Sequence, residues 1–316
     1  MDAAAADAQP CRTCGRPRGP NLAEGTRCAR CGVRHALMVW LAAAFAAGEW
    51  TLYYGGRFGD ALTAAVVTFA CFVPAVVGAV FVHELCHALA GRLLGQTVSR
   101  VLVGEGRAIV RVGRNPEFVF GSVLVGNGLT TAMDLRLDAY RTRMSAMLLS
   151  APILSLAVGA IAWTMSADWA FPLHVAARLF ALGNLALGLI TLVPVPTFSG
   201  RIWSDLAAAR YLWRATDTEV VEHMLLSAQD RLAILLERRE NAAAVATARA
   251  ALSVAPETPL AHSLLAFTLL HTGQLDESRR VARAALNGMI DDESRAYLTR
   301  LADEAERRAN SGHQHE

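Results

Sequence analysis

Long apolar runs divide this chain more sharply than any turn signal. Ala36–Tyr54, Ala61–Leu94, Ser145–Met165 and Val175–Val193 are each near or above the roughly 20 residues a helix needs to cross a bilayer, with polar sequence before, between and after them. The pattern predicts a mainly α membrane protein with about four transmembrane helices. Glu49 interrupts the first run, the second is long enough for a span plus a helical extension, and Pro74 is expected to kink it. Between the second and third runs, Ser99–Val103, Ala108–Val112 and Glu117–Val125 read as short strands parted by Gly-Glu-Gly and Gly-Arg-Asn-Pro turns. These predict a small β-sheet over about residues 97–128, inside a membrane core spanning 35–215.

Beyond the last run the chain turns polar and helical, and it repeats. Ala248-Arg249-Ala250-Ala251-Leu252 recurs as Ala282-Arg283-Ala284-Ala285-Leu286, an offset of 34 residues. That is the period of the tetratricopeptide helix pair, whose first helix, turn and second helix Ala261–Leu270, His271–Leu275 and Ser278–Leu286 resemble. Residues 216–310 are therefore expected to form a helical-repeat domain, read either as a plain helical cap or as a groove for a protein partner. Ser311–Glu316 is expected to be a disordered tail.

Charge orients the runs. The net charge is only +2, and all 30 lysine-plus-arginine positions are arginine, which with the Ala and Gly content suggests a high-GC bacterial genome. Arg12, Arg16, Arg18, Arg27, Arg30 and Arg34 precede the first run; Arg100, Arg107, Arg111, Arg114, Arg136, Arg141 and Arg143 follow the second. Positively charged flanks stay in the cytoplasm, so the sheet is cytoplasmic and four spans return both termini there. The first 35 residues are polar and lack the apolar centre of a cleavable signal peptide. The near-zero net charge averages unlike parts and does not point to a nucleic-acid partner.

Cys11-Arg12-Thr13-Cys14-Gly15 and Cys28-Ala29-Arg30-Cys31-Gly32 are twin CxxCG knuckles separated by residues 16–27. Their spacing suits one tetrahedral structural zinc held by Cys11, Cys14, Cys28 and Cys31, a zinc ribbon over residues 1–34. A disulfide pair is the plainer alternative, and a reducing cytoplasm argues against it. Cys71 and Cys86 lie in the second run and read as apolar fillers.

The chemistry concentrates in His83-Glu84-Leu85-Cys86-His87, which lies inside that second run. Residues four apart share a helix face, so His83 and His87 can aim imidazole nitrogens at one metal while Glu84 stands beside the open position. Zinc held this way lowers the pKa of a water to roughly 7, and a neighbouring carboxylate can take its proton during attack on a peptide carbonyl. Unpaired ionisable groups at membrane depth cost at least about 2.5 kcal/mol each, which weighs against an accidental cluster. A third ligand must reach the cytoplasmic end of the second helix. Asp60, Asp168 and His174 fall on the opposite side, and Asp205 is the first carboxylate after the fourth run. Asp205 reads either as that ligand or as an acid favoured in the first turn of a helix; Glu105 and Asp134 are weaker substitutes.

An HELCH motif in a span, Ser150-Ala151-Pro152 in the next, and Leu192-Val193-Pro194-Val195-Pro196 after the last together resemble the site-2 protease family of intramembrane zinc metalloproteases, over roughly Val73–Asp205. The resemblance implies catalytic Zn2+ on His83, His87 and Asp205, with Glu84 as base. It also implies cleavage of a transmembrane segment of a single-span membrane protein in regulated proteolysis or signalling. The family's aspartate comes from a motif near Asn-x-x-Pro-x-Pro-x-x-Asp-Gly. Here Thr191 stands at the Asn position and Ser199-Gly200 at Asp-Gly, so either the ligand has moved to Asp205 or the site is impaired. Asn184 is a candidate replacement for transition-state support, or a span residue bonded to a neighbouring helix. The sheet reads either as an edge that adds a substrate strand or as an ordinary hairpin over the catalytic helices. The alternative function is a non-proteolytic membrane scaffold that assembles partners through the ribbon and the repeats.

Overall fold

The structure, a computed structural model, describes residues 61–193, 204–288 and 291–312. The apolar run Ala36–Tyr54, the four knuckle cysteines, Asp60 and the Pro194–Trp203 segment lie outside the described residues. Two compact units emerge. One holds residues 61–94, 100–130, 143–193 and 204–213; the other holds 95–99, 131–142, 214–288 and 291–312.

The first unit is built on three apolar helices: α1 (Ala61–Leu93), α2 (Tyr140–Met165, which opens in the other unit) and α3 (Leu173–Leu192). Within them Ala65–Leu93, Tyr140–Asp168 and Leu173–Leu192 are long and apolar enough to cross a membrane. Helix α1 continues through Pro74, so the proline does not end it. Glycines bring the helices together. A Cβ at Gly188 would stand 2.8 Å from the Pro152 carbonyl oxygen, and one at Gly159 would stand 2.9 Å from that of Ala181, so α2 and α3 approach almost backbone to backbone. Leu62, Val66, Phe69 and Leu89 of α1, Ile153 and Ile161 of α2, and Leu189 and Ile190 of α3 stay exposed, while Thr68, His83, Glu84, His87, Ser155 and Asn184 are buried. This is an inside-out distribution, with polar groups inward and an apolar outer surface.

Two strands, β1 (Thr97–Val112) and β2 (Glu117–Met133), pair across the turn 113–116 into a two-stranded sheet. Three short strands were expected, so this is a correction. Gly104-Glu105-Gly106 does not break β1: Gly104 takes φ +87 and the strand carries on, as a strand can when glycine absorbs a local irregularity. Strand β2 likewise runs on past Val125 to Met133. The hairpin is fastened to α1 by Phe81, whose ring lies 5.9 Å from that of Phe118 and 6.0 Å from that of Phe120, and by Arg92, which donates to the Asn115 carbonyl.

Helix α4 (Asp205–Arg214) completes the first unit. Ser204 caps it, its hydroxyl accepting the Ala207 amide at 3.2 Å, which leaves Asp205 in the first turn with its side chain free for other partners.

The second unit is a series of helices: α5 (Asp217–Glu237), α6 (Asn241–Val254), α7 (Pro259–His271), α8 (Leu275–Leu286) and α9 (Asp292–Gly312), each packed on the next. Thr216 and Glu219 form a reciprocal capping box at the start of α5. The recurring alanines explain the repeat: Ala248 and Ala251 of α6, and Ala282 and Ala285 of α8, are all buried where helices cross, and a larger side chain there would push the helices apart. Ser311 and Gly312, expected in a disordered tail, instead close α9. The strand ends belong to this unit: Ser99 accepts from Arg231 at 2.8 Å, and the Tyr140 hydroxyl lies 2.7 Å from His223 Nδ1.

Candidate metal centre

Helix geometry carries His83 and His87 to one face of α1, where their rings meet edge to face at 5.0 Å. Asp205 arrives from the start of α4. Its Oδ2 lies 3.1 Å from His83 Nε2 and its Oδ1 3.3 Å from His87 Nε2, and one ligand atom from each of the three residues falls within 4.8 Å of the others. The three residues form a group that could hold a metal ion, since histidine nitrogens and a carboxylate oxygen are common zinc donors. His83 and His87 are buried, with 3% and 5% exposure, which places this polar cluster away from bulk water.

The far sides of both rings are also occupied. His87 Nδ1 lies 3.0 Å from the Met147 carbonyl and His83 Nδ1 lies 3.0 Å from Ser155 Oγ, both on α2. A carbonyl can only accept, so His87 Nδ1 carries a proton. In a neutral ring Nε2 is then a lone pair, and it faces a carboxylate oxygen at 3.3 Å. Two lone pairs do not remain so close in a buried site without a cation between them, either a second ring proton or a metal. The donor set fits zinc. Burial pushes the Asp205 carboxyl up, but the adjacent His83 and His87 imidazoles outweigh it and hold the group at about 2.

Glu84 is buried beside the two histidines and held by β2. The Thr130 hydroxyl lies 2.8 Å from Glu84 Oε2 and 3.0 Å from its backbone carbonyl. Gly128 permits this contact, since a Cβ there would overlap the Glu84 carboxylate and come within 2.6 Å of Cδ. Sequence reading ended the strand at Val125 and missed both residues. The available signal was Gly126-Asn127-Gly128, because glycines within a strand pattern mark close backbone approach. Ser155 was missed as well, although a hydroxyl in an apolar span is itself a signal. Met147 acts through its backbone, and its residue type carries no signal. Its carbonyl also accepts the Ser150 hydroxyl at 2.6 Å.

The structure thus brings together His83, Glu84, His87 and Asp205. Among the described residues it does not bring in Asn184, Asp134 or His174. Asn184 is fully buried in α3 and donates to the Phe180 carbonyl at 2.9 Å; among the described residues it has no partner at Oδ1 and no hydrogen bond to the four residues. Asp134 belongs to the second unit and binds Arg136 at 3.0 Å. Glu105 lies within β1, and His174 bonds the Ser166 carbonyl at 2.7 Å. Cys86 is buried and Cys71 half-buried, both as free thiols. Cys11, Cys14, Cys28 and Cys31 lie outside the described residues. No protein-family model and no curated protein matches this chain.

Proposed function

We propose that this chain is a multi-pass membrane zinc metalloprotease of site-2 protease type. The reading rests on one observation above the rest: His83, His87 and Asp205 bring one ligand atom each within 4.8 Å of the others, with both histidines buried and Glu84 buried beside them. His83, His87 and Asp205 hold the metal. Zinc in that position supplies Lewis-acid chemistry, activating water and polarising a carbonyl. Glu84 takes the proton from the attacking water and passes it to the leaving amine. Thr130 holds the Glu84 carboxylate in place.

The apolar outer surface of α1, α2 and α3 supports residence in a bilayer, with the site near the Leu93 end of α1. A substrate reaching a site there is a transmembrane segment of another membrane protein, and a helical segment must unwind before its amides are open to attack. The reading also includes cytoplasmic termini, a structural zinc held by the four thiolates of Cys11, Cys14, Cys28 and Cys31, and a tetratricopeptide-like surface at α5–α9 that selects a partner.

A second reading, a non-proteolytic scaffold of the same ancestry, draws on the 6% exposure of Glu84 beneath Gly128 and Thr130 and on Ser199-Gly200 at the family's Asp-Gly position. Metal content and cleavage of co-expressed single-span membrane proteins separate the two readings. We expect Glu84→Gln to retain metal and lose cleavage, and Asp205→Ala to lose both. A wild-type protein with no metal beyond that bound by the four N-terminal cysteines would overturn the protease.

A further inference from the structure

We propose that Ser155 is a positioning residue for the metal centre, setting the affinity of the site by fixing the ring of His83. The inference rests on the metal-centre reading above. His83 and His87 are supported in unlike ways. His87 is held by a backbone carbonyl, which no substitution removes; His83 depends on a side chain, Ser155 Oγ, at 3.0 Å from Nδ1.

Both partners of that second bond are buried, His83 at 3% and Ser155 at 0% exposure, so no bulk water stands ready to replace the hydroxyl. Met147 and Ser155 are eight residues apart, about two helical turns, and α2 therefore presents both groups to the histidine pair of α1. With Nδ1 donating to Ser155, His83 keeps its Nε2 lone pair aimed at the Asp205 side of the site. Without the hydroxyl, the ring can rotate about its Cβ–Cγ bond, and its buried N–H loses its partner. The outer partners of metal-bound histidines commonly affect affinity by about 10–100-fold.

The test uses the full chain in detergent with Cys11, Cys14, Cys28 and Cys31 replaced by serine, so that only the inner site reports. Titration with Co2+, followed by its visible absorption, and competition with Zn2+ read affinity and coordination without any substrate. Ser155→Ala is expected to weaken binding about 10–100-fold and to alter the Co2+ spectrum, and Ser155→Thr to restore both. Ser145→Ala, which removes another buried hydroxyl of α2, one that has no hydrogen-bond partner among the described residues, controls for general loosening of the helix and is expected to bind as the parent does. Unchanged affinity and spectrum in Ser155→Ala, or equal weakening in Ser145→Ala, overturns the proposal while leaving the metal centre intact. If the parent binds no more tightly than His87→Ala, the metal centre itself fails and this proposal goes with it.

Discussion

The polar atoms of the HELCH motif are each matched by a group that sequence position does not reveal. Thr130 and Gly128 do this for Glu84: the hydroxyl bonds the carboxylate, and the missing side chain gives it room. Adding one methyl at 128 should displace the Glu84 carboxylate without touching His83, His87 or Asp205. Gly128→Ala is therefore expected to retain metal and to lose cleavage on the order of 10²-fold, the effect of misplacing a reacting group by about 1 Å. Wild-type cleavage with bound metal would show that Gly128 does not constrain the base. The motif itself was plain in the sequence because His83 and His87 are one helical turn apart. Their supports are separated from them by 60 residues or more along the chain, and no local pattern joins them.

At the scale of elements, α5 contributes His223, whose Nδ1 lies 2.7 Å from the Tyr140 hydroxyl at the start of α2. Burial lowers the His223 imidazole below its ordinary value of about 6.5. The folded chain then binds fewer protons than the unfolded chain as the pH falls past that value, so the associated stability is complete above about pH 6.5 and is lost as the pH drops through the folded value. Hydrogen exchange in α5, corrected for intrinsic rates, should show protection falling with acid in the wild type. The fall should be smaller in His223→Gln, and equal slopes would remove His223 as its cause. The helical tail was expected from its 34-residue alanine repeat, whereas the Thr216–Glu219 capping box that opens α5 was not read from the sequence. Element boundaries were misread in the sheet, where Gly104 suggested a turn but the strand accommodates its positive φ.

For the whole molecule, the proposed membrane reading turns on how many apolar stretches span. The three described apolar helices are an odd number, and they leave the two termini on the same side only if Ala36–Tyr54 also spans. The arginine-rich flanks predict that it does. Reporters fused separately to each terminus, active in one compartment only, are expected to place both in the cytoplasm. Opposite readings would remove the first span and reverse one of the charge assignments.

Sequence alone determined the parts that depend on local chemistry. Apolar runs of membrane length, a histidine pair at helical spacing, and a 34-residue alanine repeat are each written within a short stretch, because helix period and hydrophobicity act between near neighbours. Asp205 could be narrowed down by elimination, but only the folded chain brings its two oxygens to within 3.1 and 3.3 Å of the two imidazoles. Tertiary structure likewise decided that Ser155, the Met147 carbonyl, Thr130 and Gly128 surround the motif, and that Asn184 makes no hydrogen bond to it. These contacts come from the packing of α2 and β2 against α1. Which atoms meet in a packed interior is settled by the shapes of all the partners together, and a single segment does not carry that information.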